Sequence, residues 1–150
     1  MNHAHEHPWL SKIGQIGISV RDLPAMTRFY RDVLGLRLLF EVSGMAFFDC
    51  DGVRLMLATP TAAEFDHPSS ILYFKVADID ASHASMAERG VHFDLEPFLV
   101  AQMPDHDLWM AFFRDAEHNF HALMSEVAPA AREHAARDQR SPAPQPRGGA

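Results

Sequence analysis

The sequence predicts an α+β fold built from two βαβββ modules, and three observations predict it. The segment Val20-Arg21-Asp22-Leu23-Pro24-Ala25 recurs 56 residues later as Val76-Ala77-Asp78-Ile79-Asp80-Ala81. In each copy an alternating apolar run gives way to a helical pattern. Each helical pattern stops at a glycine, Gly35 in the first and Gly90 in the second, the residue type suited to the left-handed position beyond a helix end. At 150 residues, 47% hydrophobic and 22% charged, the chain has apolar surface for one core. One globular domain of two similar halves follows.

The first module is expected over about 12–60. Ile16, Ile18 and Val20 alternate with Gln15, Gly17 and Ser19, the signature of a half-buried strand. Asp22 is placed to cap the next helix, Pro24 fits its first turn, and Met26, Phe29, Tyr30, Val33 and Leu34 share one helical face up to Gly35. Three apolar runs at 36–42, 45–50 and 53–58 supply strands, and Asp51-Gly52 joins the last two as a type I′ turn.

The second module, about 69–126, repeats the plan. Leu72, Phe74 and Val76 alternate against Ile71, Tyr73 and Lys75 in a strand, and a helix follows at 78–89. Strands are expected near 91–100, 108–114 and 119–125, with turns at Pro104 to Asp107 and Asp115 to His118; Glu96-Pro97 weakens the first of these. Residues 1–11, polar and His-rich, and 127–150, rich in Ala, Pro, Arg and Gly with almost no large apolar side chain to bury, are expected to be disordered.

Charge and cysteine content exclude several functions. Formal net charge is −7, and the segment from Val127 onward contributes Arg132, Arg137, Arg140 and Arg147 against Glu133 and Asp138, leaving the rest near −9. Such a surface repels a phosphate backbone, so no nucleic-acid partner is expected. Cys50 is the only cysteine, which rules out an internal disulfide and suits a reducing, cytoplasmic setting. No apolar run approaches the roughly 18 residues of a membrane span, and no basic-then-apolar signal opens the chain. No membrane association is expected.

Paired βαβββ modules, V-x-D-L/I entering each helix, F-Y-R-D-V-L-G-L from Phe29 to Leu36 and F-R-D-A-E-H-N from Phe113 to Asn119 resemble the vicinal oxygen chelate superfamily of glyoxalases, bleomycin-resistance proteins and extradiol dioxygenases. The resemblance covers about 12–126 and implies a cupped mixed sheet, the glyoxalase/bleomycin resistance fold. For single-domain members it also implies a homodimer. In metal-using members it implies four ligands, on the first and last strand of each module. Those positions fall here on Gln15, Met56, Ile71 and Ala122. Divalent ions of this family need carboxylates or imidazoles, and only the Gln15 amide is compatible, so no metal and no other cofactor is expected.

Strand parity gives the face lined by those positions a different chemistry. Gln15, Gly17, Ser19, Arg54, Met56, Ala58, Ile71, Tyr73, Lys75, Phe120, Ala122 and Met124 share it. An apolar surface with few polar groups suits a small, partly aromatic organic molecule, oriented by an amide, a phenol and one or two cations. Arg54 and Lys75 would alternatively recognise an anion, or snorkel to solvent over a cup filled by its own side chains. Gln15, Arg54, Met56, Ile71, Tyr73, Lys75, Trp109 and Ala122 are the ligand-binding candidates, Trp109 serving either as core or as a stacking ring. His106, between Asp105 and Asp107, is either a turn residue or a general base and is the one catalytic candidate. His118 reads as a turn residue and His121 as a core histidine; His92 is open.

Three functions fit these residues. The first is a metal-independent binder of a small organic molecule, similar to the bleomycin-resistance branch. The second is a metal-dependent enzyme resembling lactoylglutathione lyase or a dioxygenase, its divalent ion held by unusual donors. A protein-interaction module is the third.

Overall fold

The alternation around Ile16 to Val20 becomes strand β1 (Gln15–Ser19) in a computed structural model that describes residues 9–129. Most of the termini expected to be disordered therefore lie outside the described residues. Two compact units meet in the chain at Ser69 and Ser70.

In the first unit the Asp22 carboxylate accepts the Ala25 N–H at 3.1 Å and so caps helix α1 (Leu23–Arg28), with Pro24 in its first turn. The single helix expected up to Gly35 instead finishes as a π-helical turn, Phe29–Val33, in which the Leu34 N–H reaches the Phe29 carbonyl at 2.9 Å. The wider turn accommodates consecutive bulky rings, Phe29 and Tyr30, which meet edge-on at 5.9 Å. Strands β2 (Arg37–Val42), β3 (Met45–Cys50) and β4 (Val53–Ala58) follow, the last two joined through Asp51 at φ 49° and Gly52 at φ 89°. Positive φ at both residues is what a type I′ turn requires.

These strands order as β1-β4-β3-β2, with β1 parallel to β4 and the other pairs antiparallel. Helix α1 packs on β3 and β4, where Ile18, Phe48, Leu55 and Leu57 bury against Met26 and Tyr30. Each such side chain contributes about 1.5–3 kcal/mol of transfer free energy, which pins this face to the helix and leaves the other open. On the open face the register aligns Gln15 with Arg54, Gly17 with Met56 and Ser19 with Ala58. A bulge at Leu39 in β2 then pairs Phe40 with Phe47, although Leu38 pairs with Phe48. That one extra residue turns Phe40 to the open side.

In the second unit Asp78 caps helix α2 (Ile79–Glu88) through the Ala81 N–H at 3.1 Å. Strand β5 (Tyr73–Lys75) is shorter than expected and leaves Ile71 just outside it. The strand expected over 91–100 is interrupted, giving β6 (His92–Phe93) and β7 (Phe98–Gln102). Both pair with β8 (Asp107–Arg114), and between Phe93↔Phe113 and Phe98↔Met110 one strand advances five residues while the other advances three. Pro97, which lacks an N–H for the ladder, lies in the excess segment. Strand β9 (Phe120–Val127) lies between β8 and β5, parallel to β5, and takes in Val127, the first residue of the expected disordered tail.

Helix α2 packs on β8 and β9. Ala111, Phe113, Leu123 and His121 are buried on that side, and Tyr73, Phe112, Phe120 and Met124 alternate onto the other. The architecture is thus α+β, two βαβββ modules each with a mixed sheet.

Candidate functional site

The first module assembles three of the expected residues. The Gln15 amide Nε2 lies 3.6 Å from the Met56 sulfur, so these two candidates on the first and last strands of the module adjoin. The Arg54 guanidinium lies over Phe40 and Phe47, 5.8 and 5.9 Å from the ring centroids, and the two rings stack at 4.5 Å. This arrangement engages the cation with aromatic faces as well as solvent. Phe40 and Phe47 were not expected at the site, and the Leu39 bulge explains Phe40, since strict alternation along β2 puts it on the opposite face.

A groove of about 500 Å³ opens on the same sheet face. Its floor is Gly17, Met45, Met56 and Ala58, and its wall is the segment after β4, with Thr59, Pro60, Thr61, Phe65 and His67. That segment forms a 3₁₀ turn, Ala63–Phe65, and is fastened to the end of β1 at two points. The Ser19 hydroxyl donates to the Phe65 carbonyl, and Arg21 pairs with Asp66 at 2.8 Å. Nothing in the spacing of Thr59 to His67 marks it as part of a site, because its role depends on folding back over β1.

In the second module Tyr73, Lys75 and Ala122 share one sheet face, with Tyr73 in register with Ala122. The Tyr73 ring meets Phe112 edge-on at 6.4 Å, Phe112 stacks on Phe120 at 5.0 Å, and Arg114 lies 4.7 Å over Phe120. Lys75 pairs with Glu126 at 3.0 Å. Ala122, expected to line open space, is completely buried. Ile71 remains exposed ahead of β5.

Trp109 is not brought to this face. It is 6% exposed and registers with Leu99 and Ser125, on the side occupied by Ala111 and Phe113, which is the position of a core residue. His106 sits in the β7–β8 turn with Nδ1 2.9 Å from Asp105, while Asp107 begins β8 and is buried. His92 lies 3.3 Å from Asp94. His118 takes φ 68°, the left-handed turn position.

His121 is buried on the helix side between Phe74 and Phe113. Its Nδ1 accepts the Leu72 N–H at 3.2 Å, and Nε2 faces Asp115 at 3.8 Å. Burial pushes its pKa below the ordinary value, against the opposing pull of Asp115. Asp115 itself accepts the backbone N–H groups of Glu117 and Asn119 and the Asn119 amide, each at 2.9 Å. This carboxylate organises the turn before β9.

Among the described residues no three His, Cys, Asp or Glu side chains gather as a metal site, and no helix is long and apolar enough to cross a membrane. Two βαβββ modules, each with one sheet face under a helix and the other left open, define a class of fold that the comparisons identify. The sequence model of the Glyoxalase/Bleomycin resistance protein/Dioxygenase superfamily matches residues 12–120, and the chain belongs to that superfamily.

The chain is 30% identical over 125 residues to the uncharacterised protein YraH of Bacillus subtilis (strain 168), which covers 72% of this chain and 93% of YraH. It shares the fold of TnmS3, an antibiotic-binding protein from Streptomyces sp. CB03234, at TM-score 0.64 and 22% identity over 81% of this chain and all (100%) of that one. Lactoylglutathione lyase from Agrobacterium tumefaciens is similar at TM-score 0.57 and 21% identity, covering 77% and 94% of the two chains.

Proposed function

We propose that this protein binds a small, partly aromatic, uncharged organic molecule on its open sheet faces and does so without a metal ion. The observation that carries the reading is the groove of about 500 Å³ beside Met45, Met56 and Phe65. Its volume falls within the range of about 300–1,000 Å³ typical of small-molecule pockets, and its lining is mostly apolar with a few polar groups, among them Thr59, Thr61 and His67. The cations of the open faces already have partners. Arg54 lies on Phe40 and Phe47, and Lys75 is paired with Glu126, which favours a neutral ligand over an anion.

The family's divalent ion does not fit the residues at its four positions. Gln15 supplies an amide, Met56 a soft thioether, and Ile71 and Ala122 alkyl groups with no donor atom. The antibiotic-binding neighbour TnmS3 supports a sequestering role, and the assembly that accompanies it is proposed to be a homodimer.

Thermal-shift screening of neutral aromatic compounds, with and without Ni²⁺, Zn²⁺, Mn²⁺ and Fe²⁺, tests the reading. Stabilisation by compounds in the absence of any ion is expected. One tightly held ion per chain, together with compound binding that requires it, overturns the proposal in favour of a metal enzyme. Sedimentation of the free protein reports the dimer.

A further inference from the structure

The two modules fill equivalent positions in opposite ways. Register aligns Gly17 with Met56 in the first and Tyr73 with Ala122 in the second, so small faces large in each pair and the order is reversed. In the first module the position on the leading strand has no side chain, and the groove runs over it. In the second a phenol ring, held edge-on by Phe112, occupies that position. A glycine in the middle of a strand weakens it and often marks a close approach, made here by the movable terminal methyl of Met56, 3.3 Å from where a side chain on Gly17 would begin. The φ of Gly17 is not among the positive values of this chain, so backbone conformation does not require glycine there.

We infer that Gly17 is the size-determining residue of a ligand site confined to the first module, where the ring of an uncharged aromatic molecule lies over Gly17, between the thioethers of Met45 and Met56 and the ring of Phe65. This inference rests on the small-molecule reading above. The chemistry suits the occupant: a polarisable sulfur makes favourable contacts with aromatic rings, and an unbranched side chain adjusts to the shape of what it meets. The rim offers neutral hydrogen-bonding groups from Ser43, Thr59 and Thr61, and Arg21, which holds the segment, is paired with Asp66.

The test uses the full chain carrying ¹³C-methyl methionine, titrated with aminoanthracene, a neutral fluorescent aromatic. Ring-current shifts are expected at the methyls of Met45 and Met56, while those of Met110 and Met124 on the second module's open face stay in place. Gly17→Phe is expected to weaken aminoanthracene binding by at least about tenfold, since a pocket discriminates strongly when its volume is taken by a protein side chain. Tyr73→Ala is expected to leave affinity within about threefold of the parent. The methyl readout needs no variant, so it decides the matter even if Gly17→Phe fails to fold. Shifts confined to Met110 and Met124 overturn the assignment to the first module and leave small-molecule binding intact. Absence of any binding, to aminoanthracene and to the wider compound set, overturns both.

Discussion

The terminal methyl of Met56 lies 3.3 Å from the point where a side chain on Gly17 would begin. A contact that short makes one neighbour give way by a few tenths of an ångström, and Met56 yields easily because the contact is the far end of a flexible chain. Gly17→Ala is therefore expected to leave stability within about 1 kcal/mol of the parent, the entropy gained by removing a strand glycine offsetting the adjustment. Urea unfolding checks it. A loss above about 2 kcal/mol means that Met56 is locked in place.

Ala122 sits opposite Tyr73 on one side and Phe112 on the other, with no exposed surface. Enlarging it overpacks this contact, so Ala122→Trp is expected to cost about 1–3 kcal/mol or more. If the variant melts with the parent, the second module's face has room to spare and the ligand assignment to the first module weakens.

Asp115 is buried and accepts three hydrogen bonds from Glu117 and Asn119. Asp115→Ala leaves those donors without their acceptor and is expected to cost about 2–4 kcal/mol. Denaturation midpoints measured by circular dichroism report the loss, and a change below about 0.5 kcal/mol shows that water replaces the carboxylate at no cost.

His121 makes stability depend on pH in a defined direction. Burial lowers its folded-state pKa below the ordinary 6.5, so the unfolded chain takes up the proton first. Its contribution is fully present above the unfolded value and is lost progressively as pH falls below about 6.5, because the unfolded chain binds a proton that burial makes costly for the folded imidazole. Parent protein is expected to lose melting temperature between pH 7 and pH 5 more steeply than His121→Gln. Parallel curves for the two proteins contradict the assignment.

Cys50 has its thiol pKa raised above 9.0, chiefly by burial and further by Asp49 and Asp51. Thiolate is the reactive form, so alkylation by iodoacetamide at pH 7 is expected to run more slowly than for a small free thiol. Rate against pH, followed by mass spectrometry, checks this, and a rate matching the free thiol shows that the group is activated.

What the sequence determined by itself was local. Asp22 and Asp78 cap their helices, Asp51-Gly52 turns a hairpin and His118 takes a left-handed position because each of these needs only neighbours within a few residues. The count of four residues beyond each hairpin turn, from Gly52 and from His118, also carried the equivalence of Met56 and Ala122 across the modules, which the strand registers match. Tertiary structure decided what depends on strands pairing across long stretches of chain. The Leu39 bulge turns Phe40 toward Phe47 and Arg54, the two-residue excess before Phe98 interrupts an expected strand, and Trp109 is buried because both faces of β8 are apolar and only packing chooses between them. The groove wall from Thr59 to His67 exists only because that segment folds back onto Ser19 and Arg21, more than forty residues away, and no periodicity within it encodes a contact made at that distance.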